Sequence, residues 1–213
     1  MFNKTEIEQQ VAEFLLQIKA IKLQPANPFT WASGWKSPIY CDNRVTLSHH
    51  NIRTYIRQQL SALITEEFGT VNAIAGVATA GIPQGVLVAQ ELGLPFIYVR
   101  SKPKEHGTAK MIEGEIVPGQ RVAVVEDLIS TGKSSLAAVE ALRDAGYTVA
   151  GLAAIFTYGF TAAEDNFKAA KCRFATLSNY TALLKYAEQH GDIQPKDLDI
   201  LGKWREDPAN WGK

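Results

Sequence analysis

Two adjacent carboxylates, Glu126 and Asp127, stand between the apolar β-formers Val122-Ala123-Val124-Val125 and the stretch Leu128-Ile129-Ser130-Thr131-Gly132-Lys133-Ser134-Ser135. A buried strand that ends in acids and turns tightly into a helix offers two kinds of recognition at a fixed spacing. The carboxylates accept hydrogen bonds from vicinal hydroxyls such as those of a ribose. Backbone N–H groups from about Ile129 to Ser134 open at the positive end of the following helix, where a phosphate binds. At the strand end, Asp127 is expected to be exposed. An acid pair after a strand also suits a helix N-cap or a metal site, so the motif by itself leaves those readings open. Gly132-Lys133-Ser134 mimics the end of a triphosphate-binding P-loop, but that motif needs a glycine five residues before its Gly-Lys pair. Asp127 occupies that place, and its charge would repel the triphosphate.

Three further segments carry unusual chemistry. Ala78-Thr79-Ala80-Gly81-Ile82-Pro83 is a run of small residues that lets backbone N–H groups approach an anion closely, although an ordinary strand–helix turn reads the same way. Arg100-Ser101-Lys102-Pro103-Lys104-Glu105-His106-Gly107 continues as a polar, glycine-containing stretch to Gly114. Three lysines, an arginine and a histidine fall between residues 100 and 110, as in a mobile lid that neutralises a highly charged leaving group. Upstream, Phe29-Thr30-Trp31-Ala32-Ser33-Gly34-Trp35-Lys36-Ser37-Pro38-Ile39-Tyr40-Cys41-Asp42 reads as a turn and a short strand rich in aromatics. An edge strand there offers backbone donors and acceptors to a planar base, and Tyr40 can flank its ring; a purely structural strand fits these residues equally.

These segments must be held by a scaffold, and the rest of the chain supplies one. Apolar residues at Ile7, Val11, Phe14, Leu15, Ile18 and Ile21 mark a helix over 5–22. A strand over 37–41 and a helix over 49–68 follow. Strands at 71–77, 95–99, 121–125, 148–156 and 174–177 then alternate with helices at 81–91, 132–145 and 162–170, with further helices at 179–189 and 195–202. That alternation predicts an α/β fold, a central parallel sheet covered by helices on both faces. The 213 residues fit one domain with no repeat or linker: a core over about 51–178, and a small hood made by residues 1–50 with the C-terminal helices.

Lys and Arg total 22, as do Asp and Glu, so the chain is neutral and is not expected to bind nucleic acid generally. Cys41 and Cys172 fit no metal-ligand spacing and read as reduced thiols of a cytoplasmic protein. The N-terminus lacks the apolar core of a secretory signal, and no run approaches the ~18 apolar residues needed to cross a bilayer.

Apolar strand, Glu-Asp, two apolar residues, Ser-Thr-Gly and Lys-Ser together resemble the phosphoribosyl pyrophosphate (PRPP) signature of the type I phosphoribosyltransferases. With the upstream aromatic segment and the Arg100 to Gly107 stretch, the order and spacing resemble the orotate phosphoribosyltransferases over essentially the whole chain. The resemblance implies the type I phosphoribosyltransferase fold, and transfer of 5-phosphoribosyl from PRPP to N1 of orotate in pyrimidine nucleotide synthesis. It implies Mg2+ carried mainly by PRPP, with no dedicated protein ligands, and a homodimer. Arg100, Lys104 and His106 then match lid residues that reach the pyrophosphate of the neighbouring subunit, Glu126 to Ser134 match the ribose-phosphate loop, and Ser130 matches a hydroxyl near orotate. Lys104, His106 and Asp127 are the expected catalytic residues, with Tyr40 beside the base. Departures are visible: Ala80 stands where many relatives carry a pyrophosphate-loop lysine, Ala32 where some carry another lysine, and Tyr158 where some carry an arginine for the orotate carboxylate. Backbone amides of the hood, Arg44 and Lys36 remain candidates for that carboxylate. The alternatives are a phosphoribosyltransferase for another base and a PRPP-sensing regulator.

Overall fold

Residues 3–31, 33–101 and 111–212 are described in the structure, a computed structural model of the chain. The chain opens with α1 (Lys4–Gln17), capped by Asn3, whose side chain accepts from the Glu6 N–H. Short strands follow: β1 (Ile21–Leu23), β2 (Phe29–Thr30), β3 (Lys36–Ser37) and β4 (Ile39–Cys41), then a 3-10 segment at Asn43–Ser48. Next come α2 (His50–Phe68), β5 (Ala73–Val77), α3 (Gly81–Leu92), β6 (Phe96–Val99) and β7 (Ile112–Glu113). The remainder is β8 (Arg121–Ile129), α4 (Lys133–Asp144), β9 (Thr148–Thr157), α5 (Thr161–Ala169), β10 (Phe174–Asn179), α6 (Tyr180–Gln189) and α7 (Asp197–Glu206).

The main sheet has the order β10-β9-β8-β5-β6-β7. Five strands run parallel, and their central members read as continuous apolar runs because both faces are covered. Successive residues alternate between two cores. Ala123 and Val125 of β8 join residues of α2, α3 and α6 on one face, while Val122 and Val124 join α4 and α5 on the other. The chain builds β5 first, adds β6 on one side, and then crosses to place β8 on the other. The carboxyl ends of β5 and β8 therefore flank a topological switch point, where ligands of such sheets bind.

Four sequence expectations change. The sheet is mixed rather than wholly parallel: β7, inside the stretch read as lid, pairs antiparallel with β6 through Val99↔Ile112. The first helix stops at Gln17, not 22. Lys19 adopts a left-handed backbone with φ of 57°, and Ile21 then pairs with Cys41 in β1–β4; Ile21 fitted the helical stripe because strand alternation buries it just as well. The strand at 37–41 is split at Pro38, which has no N–H to give a ladder. Finally, β8 continues through both acids to Ile129, since β9 keeps pairing with it to Ile129↔Thr157.

Candidate active site

The carboxyl end of β8 sets the geometry. Glu126 is buried: its Oε1 accepts from the Asp127 N–H at 3.0 Å and its Oε2 from Ser135 Oγ at 3.3 Å. Burial first, then the neighbouring Asp127 charge, pushes its carboxyl well above the ordinary value. Asp127 is half-buried rather than exposed, and burial raises its carboxyl also, opposed in part by the Arg44 charge. Two coupled carboxyls that both resist ionisation are costly unless a ligand supplies donors or positive charge.

Beyond Ile129 the chain turns. Ile129 itself is fully buried in the strand, and its carbonyl accepts from Tyr158 N–H and Thr157 Oγ1, so it anchors the turn instead of lining it. Thr131 is tied to α5 by Asn166 Nδ2 at 2.9 Å. Gly132 holds φ of 76° with the Phe167 ring 2.6 Å from where a Cβ would stand, so no side chain is tolerated there. Lys133 and Ser134, both exposed, then open α4 with the unpaired N–H groups of its first turn. The α3 start lies equally close: a Cβ on Gly81 would sit 2.5 Å from the Val125 carbonyl oxygen.

A pocket of about 60 Å³ lies where the flagged loops meet, lined by Val77, Ala78, Arg100, Ser101 and Ser134 among others. The Ala78–Thr79 peptide is cis. Arg100 is fixed at this corner by Glu113 at 3.4 Å and by its N–H on the Met111 carbonyl. Lys104 and His106 lie outside the described residues.

On the other side of the acids is a cavity of about 310 Å³, lined by Thr30, Trp31, Tyr40, Cys41, Leu128, Ser130 and Tyr158. Its walls are aromatic. Tyr40 is 39% exposed and packs on Phe29 at 5.7 Å, while Tyr158 stacks among Trp31, Phe160 and Trp204 at 5.2–5.5 Å. Trp31 is oriented by its indole N–H on the Ile39 carbonyl. Burial raises both the Tyr158 hydroxyl and the Cys41 thiol well above their usual values, so both walls stay neutral. The nearest cation of the β2–β3 hairpin is Lys36, whose Nζ donates to Thr30 Oγ1 at 2.9 Å. Among the described residues no carboxylate pairs with Lys36, whereas Arg44 spends Nε and Nη2 on Asp42 at 2.6 and 2.8 Å. No group of three or more His, Cys, Asp or Glu side chains converges among the described residues.

Leu128 and Ser130 thus border the aromatic cavity, while Glu126 and Asp127 precede them on β8 and Thr131–Ser134 lead into α4. The phosphoribosyl transferase domain family matches residues 47–187 of this chain. Over 205 residues the chain is 59% identical to the orotate phosphoribosyltransferase of Phocaeicola vulgatus, an alignment spanning 96% of this chain and 97% of that one. The chain belongs to the orotate phosphoribosyltransferase family. Solved members of that family superpose on it. The orotate phosphoribosyltransferase of Aeropyrum pernix matches with a TM-score of 0.74 at 29% identity, covering 86% of this chain and 99% of that one. The Mycobacterium tuberculosis enzyme, in complex with 5-phospho-alpha-D-ribosyl 1-diphosphate, matches with a TM-score of 0.64 at 26% identity, covering 83% and 98%.

Sequence reasoning did not single out Trp31 and Cys41, which line the aromatic cavity, or Asn43, which bonds the Asp127 carbonyl. Asn43 is 84 residues from the backbone it contacts, and no spacing rule reaches that far. Trp31 and Cys41 lay inside a flagged segment, but which of its side chains line the cavity depends on the β2–β3 and β1–β4 pairings. No helix among the described residues is long and apolar enough to cross a membrane.

Proposed function

We propose that this protein transfers the 5-phosphoribosyl group of PRPP to N1 of orotate, releasing pyrophosphate and forming orotidine 5′-phosphate. The observation that carries the reading is a junction: just after the two carboxylates of β8, Leu128 and Ser130 border a base-sized aromatic cavity, and the turn that follows them opens α4. Glu126 and Asp127 accept from the ribose hydroxyls, and the turn Ser130–Ser134 holds the 5-phosphate on N–H groups at the start of α4. The bond from C1′ to pyrophosphate breaks as N1 bonds to C1′ and gives up its proton. Positive charge builds on the sugar and negative charge on the leaving group, so fixed charges supply most of the acceleration. Mg2+ is expected mainly through PRPP; the oxygens of Glu126 and Asp127 would suit such a hard ion, which would supply positive charge to the pyrophosphate. Arg100 stands at the corner between the β5 and β8 loops, and with Lys104 and His106 it offers charge to the departing pyrophosphate, reaching the site of the partner subunit in a homodimer. Residues 1–50 with the C-terminal helices act as a hood over the core of residues 51–178, with Tyr40 flanking the base.

Lys36 is the group that receives the orotate carboxylate. It is a cation at the cavity edge with no acid partner among the described residues, whereas Arg44 is committed to Asp42 and Tyr158 is a neutral, buried phenol. The enzyme works in the cytoplasm, in keeping with two free thiols. Incubation of the pure protein with PRPP, Mg2+ and each of orotate, uracil, hypoxanthine and adenine tests the reading. Orotate alone should be consumed quickly. Comparable turnover of another base overturns the assignment, and PRPP binding without any turnover points to a sensor.

A further inference from the structure

The backbone of Asp127 poses an accounting problem. β8 pairs with β5 only as far as Gly76↔Val125, because β5 ends at Val77 and the chain turns away towards α3. On its other side β8 stays paired with β9 through Glu126↔Ala154 and Leu128↔Phe156. The Asp127 carbonyl therefore lies beyond the last neighbour on the β5 side, and a buried carbonyl without a donor is destabilising. The donor comes from elsewhere in the chain. Asn43 Nδ2 reaches the Asp127 carbonyl oxygen at 2.7 Å, and Asn43 itself is 1% exposed.

Asn43 is in turn held on every polar atom of its side chain and on its carbonyl. Its Oδ1 accepts from Cys41 Sγ at 3.3 Å, and its backbone carbonyl accepts from Thr46 Oγ1 at 2.6 Å. Thr46 Oγ1 accepts in turn from Gln84 Nε2 at 3.2 Å. Gln84 belongs to the first turn of α3, just after the Ala78–Ala80 turn that closes β5. A buried polar strut thus runs from the helix after β5, through the 3-10 segment, to the strand end that carries Glu126 and Asp127.

We propose that Asn43 is a positioning residue for the Asp127 carboxylate: its amide stands in for the missing strand neighbour and fixes the backbone from which Asp127 presents itself to the ribose of PRPP. The inference rests on the ribose role of Asp127 proposed above. It predicts that Asn43 acts through Asp127 and not through general stability.

A double-mutant cycle tests it. Asn43→Ala alone should lower kcat/KM for PRPP roughly ten- to a hundredfold, as expected for a buried acceptor left unpaired, with the KM for orotate little changed. Calorimetric binding of PRPP with Mg2+ should weaken in parallel. In an Asp127→Asn background the same substitution should cost less than about threefold, because the group it positions has already been altered. Equal losses in the two backgrounds, or equal losses for PRPP and orotate, would overturn the positioning role and leave Asn43 as a fold-stabilising residue. Thr46→Val provides a second cycle if Asn43→Ala does not fold. It keeps the shape, removes the brace on Asn43, and should show the same PRPP-specific, non-additive loss at smaller amplitude; an additive loss there rejects the strut. If the unaltered protein binds PRPP but turns over no orotate, the functional assignment fails, while the PRPP-binding cycle still decides the role of Asn43.

Discussion

The two sides of the Glu126–Asp127 pair are built by opposite strategies. In the proposed reading, the phosphate side is a contiguous turn, Ser130 to Ser134, that would bind through backbone N–H groups at the start of α4. Its backbone is fixed from outside: Gly132, lacking a side chain, fits against the Phe167 ring, and the Thr131 carbonyl accepts from Asn166 Nδ2. The base side is assembled from residues as distant as Thr30 and Tyr158, and its recognition surface is made of side chains. A phosphate is the same in every PRPP-dependent reaction, so a fixed local backbone suffices for it. A base differs from reaction to reaction, and a cavity walled by separate elements can vary without disturbing the turn.

This contrast can be broken by substitutions that separate the two sides. The largest effect is expected at their shared border. Asp127→Asn removes a charge-assisted interaction worth ~1.5–3 kcal/mol, so kcat/KM for PRPP should drop about ten- to a hundredfold while the KM for orotate hardly moves. Steady-state kinetics with each substrate varied in turn decides this, and an unchanged kcat/KM with an unchanged melting temperature would remove Asp127 from the ribose site. A smaller effect of the opposite kind is expected at Lys36. Lys36→Met should raise the KM for orotate about three- to tenfold, the range for an ion contact at a solvent-exposed rim, and leave PRPP unaffected. A loss shared by both substrates would show that the hairpin does not belong to the base side alone.

The smallest effect concerns stability and pH. Burial holds the Glu126 carboxyl well above its ordinary value, so the folded state retains a proton that the unfolded chain releases near pH 4.3. Folding stability from this group is therefore greatest at low pH, and falls as pH rises from about 4.3 towards the raised folded value. Glu126→Gln can keep both hydrogen bonds without the charge. It should match the unaltered protein at pH 4 and exceed it increasingly as pH rises towards neutrality, with PRPP turnover impaired. Thermal melting of both proteins across that range checks the sign; a difference that shrinks with rising pH would contradict it.

The alternation of apolar runs with helical stripes was enough to place β5, β8 and β9 and the helices between them, because strands covered on both faces must be continuously apolar. The short turn from β8 into α4 was equally legible, since its signal lies in adjacent residues. Element ends were less so. Ile21 satisfied both a helical and a strand pattern, and the left-handed Lys19 decided between them. Asp127, which its position suggested would be exposed, is half-buried because β8 continues past it against β9.

What the sequence determined by itself is the sheet, its helices and the phosphate-type turn, all of which follow from local periodicity and local backbone chemistry. Three things were decided only by the tertiary structure. Trp31, Tyr40, Cys41 and Tyr158 meet in one cavity, Lys36 has no acid partner among the described residues while Arg44 has one, and Asn43 bonds the backbone that β5 leaves without a neighbour. Each depends on contacts between residues far apart in the chain, fixed by where strands end and how they register, and no residue spacing encodes that.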